Sequence, residues 1–123
     1  MSARQKLRGL FARPYAKVSA GQAAALVDGG AVLLDVREAH EWRAGHAPKA
    51  RHIPLGQLAN RTRELPEGRP VVTVCRSGSR SRQAAAFLAR EGRQVSNLAG
   101  GMHAWHRAGL PLVAKGGGSG HIA

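Results

Sequence analysis

The sequence predicts a single α/β domain in which an open parallel sheet is flanked by helices on both faces. Three observations carry this prediction. Segments with strand character alternate with segments of helical character along most of the chain, the pattern of repeated strand–helix–strand units. The two strongest strand segments, Ala31-Val32-Leu33-Leu34-Asp35-Val36 and Val71-Val72-Thr73-Val74-Cys75, are apolar on successive residues, as strands covered on both faces are. At 123 residues the chain is long enough for one core and short for two.

Residues 1–15 read as a basic N-terminal arm. Arg4, Lys6, Arg8 and Arg13 occur there without an acid, and Leu7, Leu10 and Phe11 recur at helical spacing before Pro14. A short amphipathic helix is one reading of this arm and a frayed, solvated segment the simpler one. Ser19, with Gln22 three residues later, forms a capping box that opens a helix over about 20–28. Gly29-Gly30 ends it, and the strand over 31–36 follows. Glu38 to Ala44 makes a short helix stopped at Gly45. Arg51-His52-Ile53 is a short strand, Leu55 to Arg63 another helix, and Pro66-Glu67-Gly68-Arg69-Pro70 a loop. The strand over 71–75 leads to a helix over 80–91, with Gly92 at its C′ position. Gln94 to Asn97 is the last strand. Gly100-Gly101 opens a helix over 102–108, which Gly109 and Pro111 stop. The domain thus occupies 16–113, and 114–123 is a flexible Gly-rich tail.

Composition narrows the function. Apolar residues make up 43% and charged residues 21%, which excludes wholesale disorder. The net charge of +12 comes mainly from 15 arginines set against 7 acidic residues. Such a surface attracts anions, but the arginines are dispersed and aromatics few, so no nucleic-acid partner is expected. A lone cysteine excludes an intrachain disulfide framework and any CxxC zinc or dithiol motif. It fits a reducing, cytoplasmic setting. No run of about 18 apolar residues provides an integral membrane segment, and the first twenty residues lack a secretory signal. His103 and His106 stand three apart on a predicted helix, too few ligands for a metal site, and neither metal nor cofactor is expected.

The chemistry concentrates on Cys75. It ends an apolar strand and opens the loop Cys75-Arg76-Ser77-Gly78-Ser79-Arg80, which runs into a helix. Such a loop aims backbone N–H groups and a positive dipole end at one place. Arg76, Arg80 and Arg82 lie within seven residues of the sulfur, and this field favours thiolate, the reactive form. In open α/β sheets, ligands bind beyond the carboxyl ends of the strands, where Cys75 lies.

Several segments together resemble the rhodanese family of sulfurtransferases. They are Leu34-Asp35-Val36-Arg37-Glu38, Glu41-Trp42, Gly45-His46-Ala47 with Ala50, Ile53-Pro54-Leu55, Val74-Cys75-Arg76-Ser77-Gly78-Ser79-Arg80-Ser81, Asn97-Leu98-Ala99-Gly100-Gly101-Met102 and Trp105. The resemblance covers roughly residues 16–112 in order. Family members often have Ile where Ala47 stands and Gly where Lys49 stands.

The resemblance implies a rhodanese-like sheet and a catalytic Cys75 that takes a sulfane sulfur from a donor and passes it on. It implies a small anionic sulfur donor, a thiol or cyanide acceptor, and leaves a protein sulfur acceptor open. The loop residues Arg76, Ser77, Gly78, Ser79 and Arg80 are the expected substrate-binding group, with Arg80 at the loop-closing position. Asp35 and Arg37, at the end of the strand beside that of Cys75, are expected to support the site as a buried ion pair. His46 is expected to support a turn, and Trp42 and Trp105 to pack.

Three alternatives can be compared on residues. A phosphatase of this fold needs Cys-x5-Arg to cradle phosphate, whereas Ser81 holds that position and Arg80 comes one earlier. A persulfide carrier or regulatory module serving a protein partner shares the loop. Dithiol exchange lacks a resolving cysteine. Among donors the loop favours thiosulfate, because the mercaptopyruvate branch begins its loop Cys-Gly and this chain has Arg76.

Overall fold

A parallel five-stranded sheet organises the chain in a computed structural model that describes residues 14–123. The amphipathic pattern of Leu7, Leu10 and Phe11 lies outside the described residues. The strands are β1 (Ala16–Val18), β2 (Val32–Asp35), β3 (Arg51–His52), β4 (Val71–Val74) and β5 (Val95–Leu98), in the order β1-β5-β4-β2-β3. The central strands β2 and β4 are buried at every residue, as their unbroken apolar runs require.

Helices cover both faces. On one face α1 (Ala20–Asp28) and α5 (Gly101–Arg107) pack around Leu33, Val72, Val74 and Leu98. On the other, α4 (Ser79–Arg90) and the segment 55–65 cover Leu34, Val71 and Val95. A fourth helix, α2 (Ala39–Ala44), leads towards the edge strand β3. The capping box that opens α1 is present: Ser19 Oγ accepts from Gln22 N at 3.1 Å, and Gln22 Oε1 accepts from Ser19 N at 2.8 Å.

Two expectations change. No strand was expected before α1, and Ala16–Val18 is short and largely exposed. It is a strand only because β5 lies beside it, with Ala16 opposite Ser96 and Lys17 opposite Asn97. The helix expected over 55–63 breaks into a 3₁₀ turn (Leu55–Gln57), a single helical turn α3 (Leu58–Arg61) and a second 3₁₀ turn (Thr62–Glu64). Gly56 and Asn60 are poor helix formers, and the segment takes tighter 3₁₀ turns on either side of Leu58–Arg61.

The Gly-rich tail, expected from composition to be flexible, runs back along α2. Val113 and His46 exchange backbone hydrogen bonds at 2.9 Å, Lys115 N donates to Arg43 O at 3.0 Å, and His121 N donates to Ala44 O at 3.0 Å. This explains Gly45, whose backbone is extended (φ 179°): a Cβ there would strike the backbone of His121. Among the described residues no helix is long and apolar enough to cross a membrane.

Candidate functional site

Cys75 stands immediately beyond the carboxyl end of β4, and the chain turns around its sulfur before entering α4. The turn depends on Gly78, the N-cap of α4, whose φ of 123° suits glycine alone. Gly78 N–H donates to Cys75 Sγ at 3.1 Å. Ser81, in the first turn of α4, places its Oγ 3.3 Å from the same sulfur and 3.1 Å from Gly78 O. The thiol is only 1% exposed. Burial pushes it up, but the Ser81 hydroxyl and the backbone N–H groups of Ser81, Gly78 and Ser77 outweigh burial and hold it below its ordinary value.

A second strut keeps the loop in this shape. Met102 N donates to Cys75 O at 2.8 Å and His103 N to Arg76 O at 3.3 Å, so the start of α5 takes the loop carbonyls. Gly101 (φ 58°) makes that approach feasible, since a Cβ would collide with Cys75 O and Arg76 O. With its carbonyls engaged elsewhere, the loop turns N–H groups towards the sulfur. Such a site holds a thiolate, or one further anionic atom attached to it, against fixed dipoles.

Asp35 and Arg37 form a wholly buried pair behind the loop. Arg37 Nε lies 3.0 Å and 3.1 Å from the two carboxylate oxygens, and Nη2 lies 2.8 Å from Oδ2. Arg37 Nη2 also donates to Gly45 O at 2.7 Å, which ties β2 to the end of α2. Its Nη1 is buried without a partner among the described residues. His52 Nε2 lies 2.7 Å from Arg37 O and His46 Nδ1 2.6 Å from Trp42 O. Trp42 stacks with both imidazoles, ring centroids 3.6 Å from His46 and 4.8 Å from His52.

The expected substrate-binding residues divide into two sets. The backbone N–H groups of Ser77 and Gly78 face the sulfur. Both arginine side chains are engaged elsewhere. Arg76 Nε donates to Ala123 O at 2.8 Å. Arg80 forms a two-pronged pair with Glu41, Nη1 to Oε1 at 2.6 Å and Nη2 to Oε2 at 2.8 Å. That pairing, with a smaller contribution from the Glu38 backbone, overcomes burial and lowers the Glu41 carboxyl to about 2.

Sequence reasoning gave no role to Glu41 or Ser81. Glu41 lies 39 residues before Arg80, and no local spacing links them. Ser81 was legible in principle: a hydroxyl in the first turn of a helix points back towards the preceding loop. Among the described residues no group of three or more His, Cys, Asp or Glu side chains gathers as a metal site.

The profile of the rhodanese-like domain family matches residues 19–108. A protein described as a sulfurtransferase in Allochromatium vinosum is 45% identical over 84 residues, which are 68% of this chain and 78% of the relative. The thiosulfate sulfurtransferase GlpE of Pseudomonas syringae pv. syringae is 35% identical over 92 residues, covering 74% and 87% of the two chains. The crystal structure of a rhodanese-related protein from Thermoplasma volcanium superposes with a TM-score of 0.75 at 27% identity, covering 80% of this chain and 98% of that one. Fold, ordered motifs and family profile agree, and the chain belongs to the rhodanese-like domain family.

Proposed function

We propose that the protein is a sulfurtransferase that carries a sulfane sulfur on Cys75, with thiosulfate as donor and cyanide or a thiol as acceptor. The observation that carries this reading is the pair of donors on Cys75 Sγ, Gly78 N–H at 3.1 Å and Ser81 Oγ at 3.3 Å, in a loop with no second thiol. The Cys75 thiolate attacks the outer sulfur of thiosulfate. The sulfur–sulfur bond of the donor breaks, and sulfite leaves with its electron pair. The new terminal sulfur carries the negative charge, and the N–H groups of residues 76–80 stabilise it. An acceptor thiolate or cyanide then attacks that sulfur, and the Cys75 thiolate is restored. Splitting the transfer in two lowers each barrier, and a thiol already shifted towards thiolate needs no histidine base.

Relatives named as sulfurtransferases at 45% and 35% identity support the reaction class. The donor is inferred from the loop, which carries Arg76 where the mercaptopyruvate branch has glycine. Mass spectrometry of the protein after thiosulfate treatment is expected to show one added sulfur on Cys75, removed by cyanide. Absence of the adduct, or its survival in Cys75→Ser, refutes the reading.

A further inference from the structure

A small basic cavity lies on the flank of the Cys75 loop, away from the Glu41–Arg80 pair. Its volume is about 190 Å³, and Lys17, Ser77, Gly78, Arg82, Asn97 and Gly100 line it. The sheet assembles it in a row. Leu34, Thr73, Asn97 and Lys17 are register partners across β2, β4, β5 and β1, so their side chains share one face. That face is the one covered by α4, because Thr73 Oγ1 donates to Ser81 O at 3.0 Å. The row passes from an apolar residue in the core to a cation at the edge, and Arg82 meets it from the first turn of α4.

Three features mark this cavity as an anion site. Lys17 and Arg82 take part in none of the ion pairs formed among the described residues, and no carboxylate lines the pocket. Asn97 is only 4% exposed; its Oδ1 faces Thr73 Oγ1 at 3.2 Å, which leaves its Nδ2 for the pocket without an acceptor among the described residues. The N-cap of α4 is a glycine with no side-chain cap, so the positive end of that helix is not neutralised by its own sequence. Gly78 belongs to both places. Its N–H donates to Cys75 Sγ, and the same residue walls the cavity.

We propose that this pocket binds the carboxylate of a low-molecular-weight thiol acid that serves as sulfur acceptor, a reading that rests on the persulfide function above. The cavity is too small for a peptide surface. Gly78 separates it from the reacting sulfur: this residue walls the cavity, and its N–H lies 3.1 Å from Cys75 Sγ. A carboxylate held there therefore belongs to a molecule whose thiol lies a few bonds away. Thiosulfate does not meet that condition, because its sulfonate is bonded directly to the transferred sulfur. In the transfer, the acceptor thiolate forms a bond to the outer sulfur of the Cys75 persulfide. The Cys75 sulfur–sulfur bond breaks, Cys75 keeps the electron pair, and the acceptor leaves as its own persulfide. No oxidant or reductant is consumed.

The full chain, loaded with thiosulfate, is discharged in single turnover by 3-mercaptopropionate or by the uncharged 2-mercaptoethanol. Lys17→Gln and Arg82→Gln should each raise the half-saturating concentration of 3-mercaptopropionate about 3-fold relative to that of 2-mercaptoethanol, and the double variant about 10-fold. Arg90→Gln, at the far end of α4, removes the same charge and should leave the preference intact. Equal effects on both thiols, or the same loss in Arg90→Gln, overturn the proposal. A second arm needs no sulfur transfer: 3-(methylthio)propionate should shift the Gly78 and Gly100 amide resonances in the wild-type chain and not in the double variant. Shifts without persulfide formation refute the transfer reading alone. Persulfide formation without shifts refutes the subsite alone.

Discussion

Replacing Ser81 with alanine isolates the contribution of one donor to the state of the Cys75 thiol. The Ser81 side chain is wholly buried and its Oγ stands 3.3 Å from Sγ, so no water takes its place easily. A hydrogen bond to a charged group contributes about 1.5–3 kcal/mol. The lower end applies here, because the single hydroxyl proton is shared with Gly78 O at 3.1 Å. Ser81→Ala should therefore raise the Cys75 pKa, and a loss near the lower end of that range corresponds to about tenfold slower alkylation at neutral pH. The backbone donors of Ser81, Gly78 and Ser77 remain. The fold should survive, since Gly78 O keeps Arg82 N as a donor at 3.1 Å. The assay is the rate of Cys75 alkylation by iodoacetamide across pH, with a thermal melt as control for folding. At neutral pH the variant should alkylate more slowly, and its profile should be displaced to higher pH. An unchanged or lowered midpoint in a folded variant would refute the argument that the Ser81 hydroxyl stabilises the thiolate.

Three further outcomes follow from the same geometry. Glu41→Gln should cost about 1–2 kcal/mol in urea unfolding, below the figure for a fully buried pair because Arg80 is 32% exposed. Glu41 has a folded-state value of about 2 against an ordinary 4.5, so its contribution is complete above about pH 4.5 and disappears as pH falls towards 2; the variant should lose stability less steeply across that window, and parallel curves would exclude the pair as its source. Gly101→Ala forces a Cβ onto Cys75 O and Arg76 O at φ 58° and should cost more than about 2 kcal/mol while slowing Cys75 alkylation, whereas a stable, fully reactive variant would contradict the strut. Arg76→Ala should raise KM for thiosulfate about 3-fold more than for a neutral persulfide donor, because only its Nε is engaged, by Ala123 O, among the described residues; equal effects would remove Arg76 from donor binding.

The readable part of this protein is the part whose physics is local. An unbroken apolar run codes for a strand covered on both faces, and both β2 and β4 form there. Ser19 and Gln22 cap α1 through atoms three residues apart. The Cys75 loop is legible for the same reason: strand, Gly78 and helix follow one another within a few residues, and the backbone itself supplies the donors. The Asp35–Arg37 pair also spans only two positions.

What the tertiary structure alone decides is the set of groups brought together across long stretches of chain. β1 has too few apolar residues to announce itself and exists through its pairing with β5, some eighty residues away. Glu41 pairs with both Nη atoms of Arg80 across 39 residues, and Ala123 O accepts from Arg76 Nε across 47, so two arginines that sequence proximity places at the sulfur also have distant partners. Gly45 looks like a helix stop and is equally a seat for the tail. Lys17 and Arg82 share a pocket because parallel pairing sets β1 beside β5 at the open end of α4. Parallel strands pair only after a long crossover. Local pattern can therefore name the central strands and the candidate thiol, while the edge strand β1 and the charges near the thiol depend on sheet order and register.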